Sequence, residues 1–248
     1  SSGNARLDHY LEHGYEAVRG MSSRFAAAIA GHLIRFQSAH GISGDIAEIG
    51  AFKGRFFIAM AMGLQPGEKG LAIDVFNWPN ERCLDDFLAN CARHGVSGEQ
   101  MIVWKTDTRG MSAAELSARI GGQKVRFFHI DGDHSDECLS KDLDLATAVL
   151  HEKGLMCLDD ILHPGYPTLV LTVMKYLDAH PEMVVHAIID REDIVAAPKF
   201  LIGRRETVDL YVTELMRAYP QFIFVMGADF VSYGALVLTP KPRLAEVD

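Results

Sequence analysis

The chain has 248 residues, 48% of them hydrophobic and 23% charged, and a formal net charge of −9. That length suits one large α/β domain with a full core, and the composition is ordinary for a soluble globular protein. The negative balance, with no basic run to offset it, argues against a nucleic-acid partner. No apolar stretch approaches the roughly 18 residues of a membrane span, so no membrane association is expected.

Cys83, Cys91, Cys138 and Cys157 lack metal-site spacing, and Cys157 sits inside an apolar run, as buried reduced thiols of a cytoplasmic protein would. Ser1-Ser2-Gly3 has the look of an expression remnant and is set aside from fold reasoning, and nothing nearby reads as a signal peptide. Residues 1–40 then read as leading helices. A short piece spans Asp8 to Val18, and a longer helix runs from Ser22 to about His40 with Phe25, Ile29, Leu33 and Phe36 on one stripe.

The α/β core, residues 45–240, opens on Asp45-Ile-Ala-Glu-Ile-Gly-Ala-Phe-Lys-Gly-Arg-Phe56. Ile46, Ala47 and Ile49 suggest a buried strand that ends at Glu48 and Gly50. Gly50 and Gly54 allow a tight turn into the apolar helix Phe56 to Met62. A strand, a glycine turn and a helix start bring backbone N–H groups close to an anionic or polar ligand. The spacing is Glu-x-Gly-x-x-x-Gly rather than the Gly-x-Gly-x-x-Gly of a dinucleotide site, and a plain strand-to-helix connection also uses glycine.

Gly70 to Phe76 is a second strand carrying Asp74. Glu81 to His94 is helical, and Met101 to Lys105 is a strand followed by the turn Thr106-Asp107-Thr108. Ser112 and Glu115 form a capping box for a helix that stops at Gly121-Gly122. Strand Val125 to Ile130 runs into Asp131-Gly132-Asp133-His134. Ser135 caps a helix with Leu139, Leu143, Ala146 and Leu150 inward, and Gly154 ends it before strand Leu155 to Leu158 and the pair Asp159-Asp160. A helix from Leu169 to Leu177, a strand from Met183 to Ile189, a helix from Glu206 to Ala218 and a hairpin of Phe222 to Met226 with Tyr233 to Leu238 complete the chain. The alternation means a doubly wound, mostly parallel sheet in a single domain, residues 1–248, with an antiparallel C-terminal hairpin.

Glu48, Asp74, Asp107, Asp131 and the pair Asp159-Asp160 all stand at the carboxyl ends of expected parallel strands. In an open α/β sheet those ends line one crevice, where ligands bind. Carboxylates gathered there repel one another unless a cation or a polyhydroxyl ligand compensates. Asp131, Asp159 and Asp160 offer three hard oxygen ligands, which suit a divalent ion such as Mg²⁺, Mn²⁺ or Ca²⁺. Turn and N-cap roles stay open for Asp133 and for either member of the pair. His134 is either a proton acceptor or a histidine satisfied by backbone, His163 is a weaker base candidate, and His129 reads as a core histidine.

These residues resemble a class I S-adenosylmethionine-dependent methyltransferase over about Ile46 to Leu177. Glu48-Ile-Gly50-Ala-Phe-Lys-Gly54 resembles the motif that accommodates the methionine moiety of the cofactor. The resemblance assigns Asp74 to the ribose hydroxyls and Asp107 to the adenine edge. It is more specific for the cation-dependent O-methyltransferases of the catechol, caffeoyl-CoA and macrolide-sugar types, whose metal acids correspond to Asp131, Asp159 and Asp160. Mg²⁺ is the ion this implies, Asp131 facing both it and the cofactor. A lysine serves as base three residues after the metal acid in the catechol-type enzymes, and His134 stands there here. Ile130-Asp131-Gly132-Asp133-His134-Ser135 is closer to bacterial enzymes acting on sugars or other natural-product hydroxyls.

The resemblance therefore implies methyl transfer to a hydroxyl of a small molecule. Competing readings are an NAD(P)-dependent oxidoreductase, which would want the tighter glycine turn, and a non-catalytic S-adenosylmethionine-binding module, which has no use for an acid triad. Tyr211, Leu215 and the terminal hairpin are free to pack on the sheet or on a second subunit, so a homo-oligomer stays open.

Overall fold

A computed structural model describes residues 2–230 and 233–241. Its nine strands form one sheet in the order β3-β2-β1-β4-β5-β7-β6-β9-β8. They are β1 (Asp45–Ile49), β2 (Gly70–Asp74), β3 (Met101–Lys105), β4 (Val125–Ile130), β5 (Leu150–Leu158), β6 (Met183–Ile189), β7 (Lys199–Arg204), β8 (Ile223–Phe230) and β9 (Tyr233–Leu238). Strands β3, β2, β1, β4 and β5 run parallel. The reversal of order beside β1 opens the crevice at its carboxyl end, which is the expected ligand position.

Alternate residues of each strand feed two apolar layers, as a strand period of two requires. Ile46, Phe127, Leu155 and Leu201 face the helices α1 (Ala5–His13), α2 (Arg24–Ala39), α3 (Arg55–Ala61), α4 (Cys83–Arg93) and α8 (Val208–Ala218). Ala47, Phe128, Met156 and Ile202 face α5 (Ala113–Arg119), α6 (Asp136–Val149) and α7 (Leu169–Ala179). The mostly parallel doubly wound sheet read from the sequence is therefore present, with helices on both faces.

The structure departs from the sequence reading in four places. Strand β5 begins at Leu150, not Leu155, because Leu150 already pairs with Val125; the register then slips and Leu155 pairs with Phe127. Gly154 thus lies inside the strand, where an added Cβ would meet the Leu150 side chain and two carbonyl oxygens at 2.9–3.0 Å. Strand β7 was not foreseen. It runs antiparallel between β5 and β6 and brings its first residue, Lys199, beside the carboxyl end of β5. The C-terminal hairpin forms as expected but its first strand extends to Phe230, with residues 231 and 232 outside the described set. Finally, Ser2 is buried and tied in, its N–H donating to Asp8 Oδ1 at 2.6 Å and its carbonyl accepting from Arg35 Nε at 3.2 Å.

The leading helices are fixed to the glycine turn. The Tyr10 hydroxyl donates to the Arg55 carbonyl at 2.9 Å, and Arg55 Nε donates to the Val18 carbonyl at 2.6 Å. The Tyr15 hydroxyl bonds the carbonyls of Ser22 and Ser23, both at 3.0 Å. These bonds hold residues 20–22 over the carboxyl edge of the sheet.

Candidate active site

A cavity of about 740 Å³ opens at that edge, within the size range of small-molecule sites. Its floor is the turn after β1. Gly50 has φ +84°, and a Cβ there would lie 1.7 Å from the Asp131 carbonyl oxygen, so only glycine lets the two loops touch. Gly54, with φ +90°, starts α3 and packs on Phe87; it does not line the cavity.

Glu48 and Asp74 both face the cavity. Glu48 is buried; its Oε1 lies 2.7 Å from His129 Nδ1, and its Oε2 has no partner. Burial pushes its pKa well above the usual carboxylate range, and Lys199 pulls it back. Asp74 is gripped by two backbone donors. Oδ2 accepts from Phe52 N–H at 2.8 Å and Oδ1 from Phe76 N–H at 2.6 Å, and both phenylalanines have positive φ, 47° and 48°. Each oxygen keeps a free lone pair for a hydroxyl pair. Phe52 and Trp78 stand next to Asp74 with ring centroids 5.3 Å apart, and Trp78 is 57% exposed, an open aromatic wall.

Asp107 also lines the cavity, but its carboxylate is held by Arg109 through Nε at 3.0 and 3.1 Å and Nη2 at 2.5 Å. The Arg109 hydrogen bond keeps its pKa below the usual value. Asp131 faces the cavity, with Ser22 Oγ 3.4 Å from its Oδ2, and burial followed by the charge of Asp159 raises its pKa well above normal. An unpartnered Glu48 oxygen, a paired-acceptor Asp74 and an aromatic wall fit the amino group, ribose and base of S-adenosylmethionine.

His134 also lines the cavity, about a third exposed. Its Nδ1 is 3.3 Å from Asp160 Oδ2, and its ring lies on Tyr166 with centroids 4.1 Å apart. Asp160 has φ +63°, a left-handed conformation that aspartate tolerates. Burial first, then Asp159, raises its pKa, while His134 opposes the shift. His163 Nδ1 accepts from Gly165 N–H at 2.9 Å, and the residue does not line the cavity. Asp133 stands just before Ser135, the N-cap of α6, and the Ser135 hydrogen bond lowers its pKa.

Asp159 and Asp160 do not line the cavity either. Asp159 Oδ1 accepts from Asp160 N–H at 2.9 Å, and its Oδ2 is bonded to the Lys199 ammonium. Lys199 also lies 3.0 Å from His129 Nε2 and 4.9 Å above the Phe56 ring. Among the described residues, His129, Asp131 and Asp159 bring ligand atoms within 4.8 Å of one another, a group that includes the core histidine and leaves out Asp160. With an ammonium already on two of the three, the residues do not fit a resident divalent ion. The ammonium must be met by a lone pair on His129 Nε2, so Nδ1 carries the proton and donates to Glu48. Burial followed by the Lys199 charge holds His129 far below the usual pKa, neutral. For Lys199 burial disfavours the charge, but Asp159 and Asp131 outweigh it and raise its pKa.

Lys199, Tyr166, Trp78 and Ser22 escaped the sequence reading. Lys199 heads the apolar run Phe200-Leu201-Ile202 directly after Pro198, the one available hint of a strand with a charge at its start.

Residues 47–161 match the family described as "Methyltransferase domain". No curated protein matches the chain in sequence. Among solved structures, it is similar to the O-methyltransferase from Bacillus cereus in complex with SAH, at 15% identity and TM-score 0.60, covering 81% of this chain and 91% of that one. TomG from Streptomyces achromogenes, involved in tomaymycin synthesis and solved with SAM, matches at 16% and 0.57, over 81% and 89%. CalS11, a TDP-rhamnose 3′-O-methyltransferase of calicheamicin biosynthesis, matches at 15% and 0.56, over 82% and 92%. By this match residues 47–161 form a methyltransferase domain, and the sheet around it has the fold of these solved O-methyltransferases.

Proposed function

We propose that this enzyme methylates a hydroxyl oxygen of a small molecule, a sugar or another natural-product scaffold. The observation that carries the reading is His134, at the cavity wall with Asp160 behind its Nδ1. A hydroxyl is a poor nucleophile until its proton is taken, whereas a neutral amine already carries a nucleophilic lone pair. The similar proteins act in comparable chemistry: CalS11 on TDP-rhamnose, TomG in tomaymycin synthesis.

S-adenosylmethionine, when bound, supplies an electrophilic methyl on a sulfonium whose leaving group is a neutral thioether. The chain does the rest. Glu48 Oε2 takes the cofactor amino group, Asp74 the ribose, and the region of Asp107 the base. Trp78 and Phe52 screen that end from water. His134 Nε2 accepts the acceptor's proton as oxygen meets the methyl carbon, and Asp160 steadies the ring and the charge it gains. No step is routed through a divalent ion. The four free cysteines support a reducing, cytoplasmic setting.

Calorimetric titration tests the cofactor and a labelled-methyl assay tests the acceptor. S-adenosylhomocysteine is expected to bind and NADH not to, with label passing to hydroxyl-bearing sugars and phenols. Binding of NADH in place of S-adenosylhomocysteine, or label found only on nitrogen, would overturn the proposal.

A further inference from the structure

Every acid that the sequence sets aside for a dication has another partner. Asp159 spends one oxygen on the Asp160 N–H and the other on Lys199, and Asp160 turns to His134. The Lys199 ammonium is fully buried, boxed by the Asp159 carboxylate, the His129 ring nitrogen at 3.0 Å and the face of Phe56 at 4.9 Å. Phe56 also stacks on the His129 ring, with centroids 4.0 Å apart, so the box is walled on two sides.

We propose that Lys199 is a built-in cation that takes the place of a divalent ion in this site, so that methyl transfer runs without one. It does not line the cavity and so acts as a positioning residue. Its one positive charge offsets the bonded Asp159 and attracts the neighbouring Asp131. Through His129, whose Nδ1–H it fixes, it also holds Glu48 with one oxygen bonded and the other turned to the cofactor. The geometry follows from strand direction. Only a strand antiparallel to β5 delivers its first residue to the carboxyl edge, and β7 is that strand.

The inference rests on the methyltransferase reading, and the test separates the two. Wild-type protein, stripped with EDTA, is titrated with Mn²⁺ and followed by electron paramagnetic resonance, and separately with S-adenosylhomocysteine by calorimetry. Wild type is expected to leave millimolar Mn²⁺ free while still binding S-adenosylhomocysteine and keeping its activity in EDTA. One equivalent of Mn²⁺ bound by wild type would overturn the inference and leave the cofactor reading intact; failure to bind S-adenosylhomocysteine would strike that reading instead. Lys199→Met, checked for folding by circular dichroism, is expected to gain Mn²⁺ at His129, Asp131 and Asp159 and to lose about tenfold or more in S-adenosylhomocysteine affinity. Lys199→Arg, which keeps the charge, should recover most of that loss. A folded Lys199→Met that binds the cofactor like wild type and gains no Mn²⁺ also overturns it.

Discussion

Two histidines illustrate how far environment decides chemistry at the level of single residues. His129 is sealed between Glu48 and Lys199 and held neutral, whereas His134 stands at the cavity wall with an acid behind it. Only the second lines the cavity. His134→Ala should therefore lower kcat by about 10²–10⁴-fold, the usual worth of one general base. On the proposed division of roles, calorimetry should find its S-adenosylhomocysteine affinity within about threefold of wild type. A fall in affinity equal to the fall in kcat would mean that His134 binds rather than deprotonates.

At the level of elements, the β1 turn and strand β7 carry the site. Gly50 is the position where chain direction and loop contact leave no room for a side chain. Gly50→Ala adds an atom 1.7 Å from a backbone oxygen and demands a left-handed conformation, itself costing about 1–2 kcal/mol. Scanning calorimetry should show a lower midpoint, and S-adenosylhomocysteine binding should be lost. The parallel half of the sheet was legible because fully buried strands read as short apolar runs, and β1, β2, β4 and β5 each finish near an acid. Strand β7 was not legible. Its lysine looks like a surface residue, and Ile194 to Pro198 before it blurs the strand's start. The acids at the strand ends were readable as a set, but the pairing within the set was not. Whether Asp160 turns to a neighbouring acid or to His134 depends on one left-handed backbone position, and no spacing in the sequence encodes it.

For the molecule as a whole, the clustered acids make stability depend on pH in an unusual direction. Glu48, Asp131, Asp160 and Asp142 all have raised pKa values, with burial the leading cause in each. Asp142 on α6 stands apart from Lys199, is fully buried, has one oxygen without a partner, and is pushed up to about 6. A folded-state pKa above the unfolded one means the folded chain binds more protons between the two values. Stability is then highest below about pH 4 for this group, falls as pH rises to about 6, and is flat beyond; the span is about 3 kcal/mol at most. Asp142→Asn should flatten that slope and raise the melting midpoint above pH 6 by several degrees, about 2–4 °C for each kcal/mol recovered. Thermal scans at a series of pH values check it, and an unchanged slope would place the titration elsewhere.

The first twenty-odd residues have a consequence of their own. Tyr10 and Val18 anchor them to Arg55 just after the glycine turn, Tyr15 ties them to Ser22 and Ser23, and Gly20, Met21 and Ser22 form part of the cavity wall. Part of the cavity wall is thus a strap from the front of the chain, outside the sheet that defines the fold. Exchanging that strap with the corresponding segment of a structural relative is expected to change which acceptors are methylated while leaving S-adenosylhomocysteine affinity in place, and a labelled-methyl assay over an acceptor panel checks it.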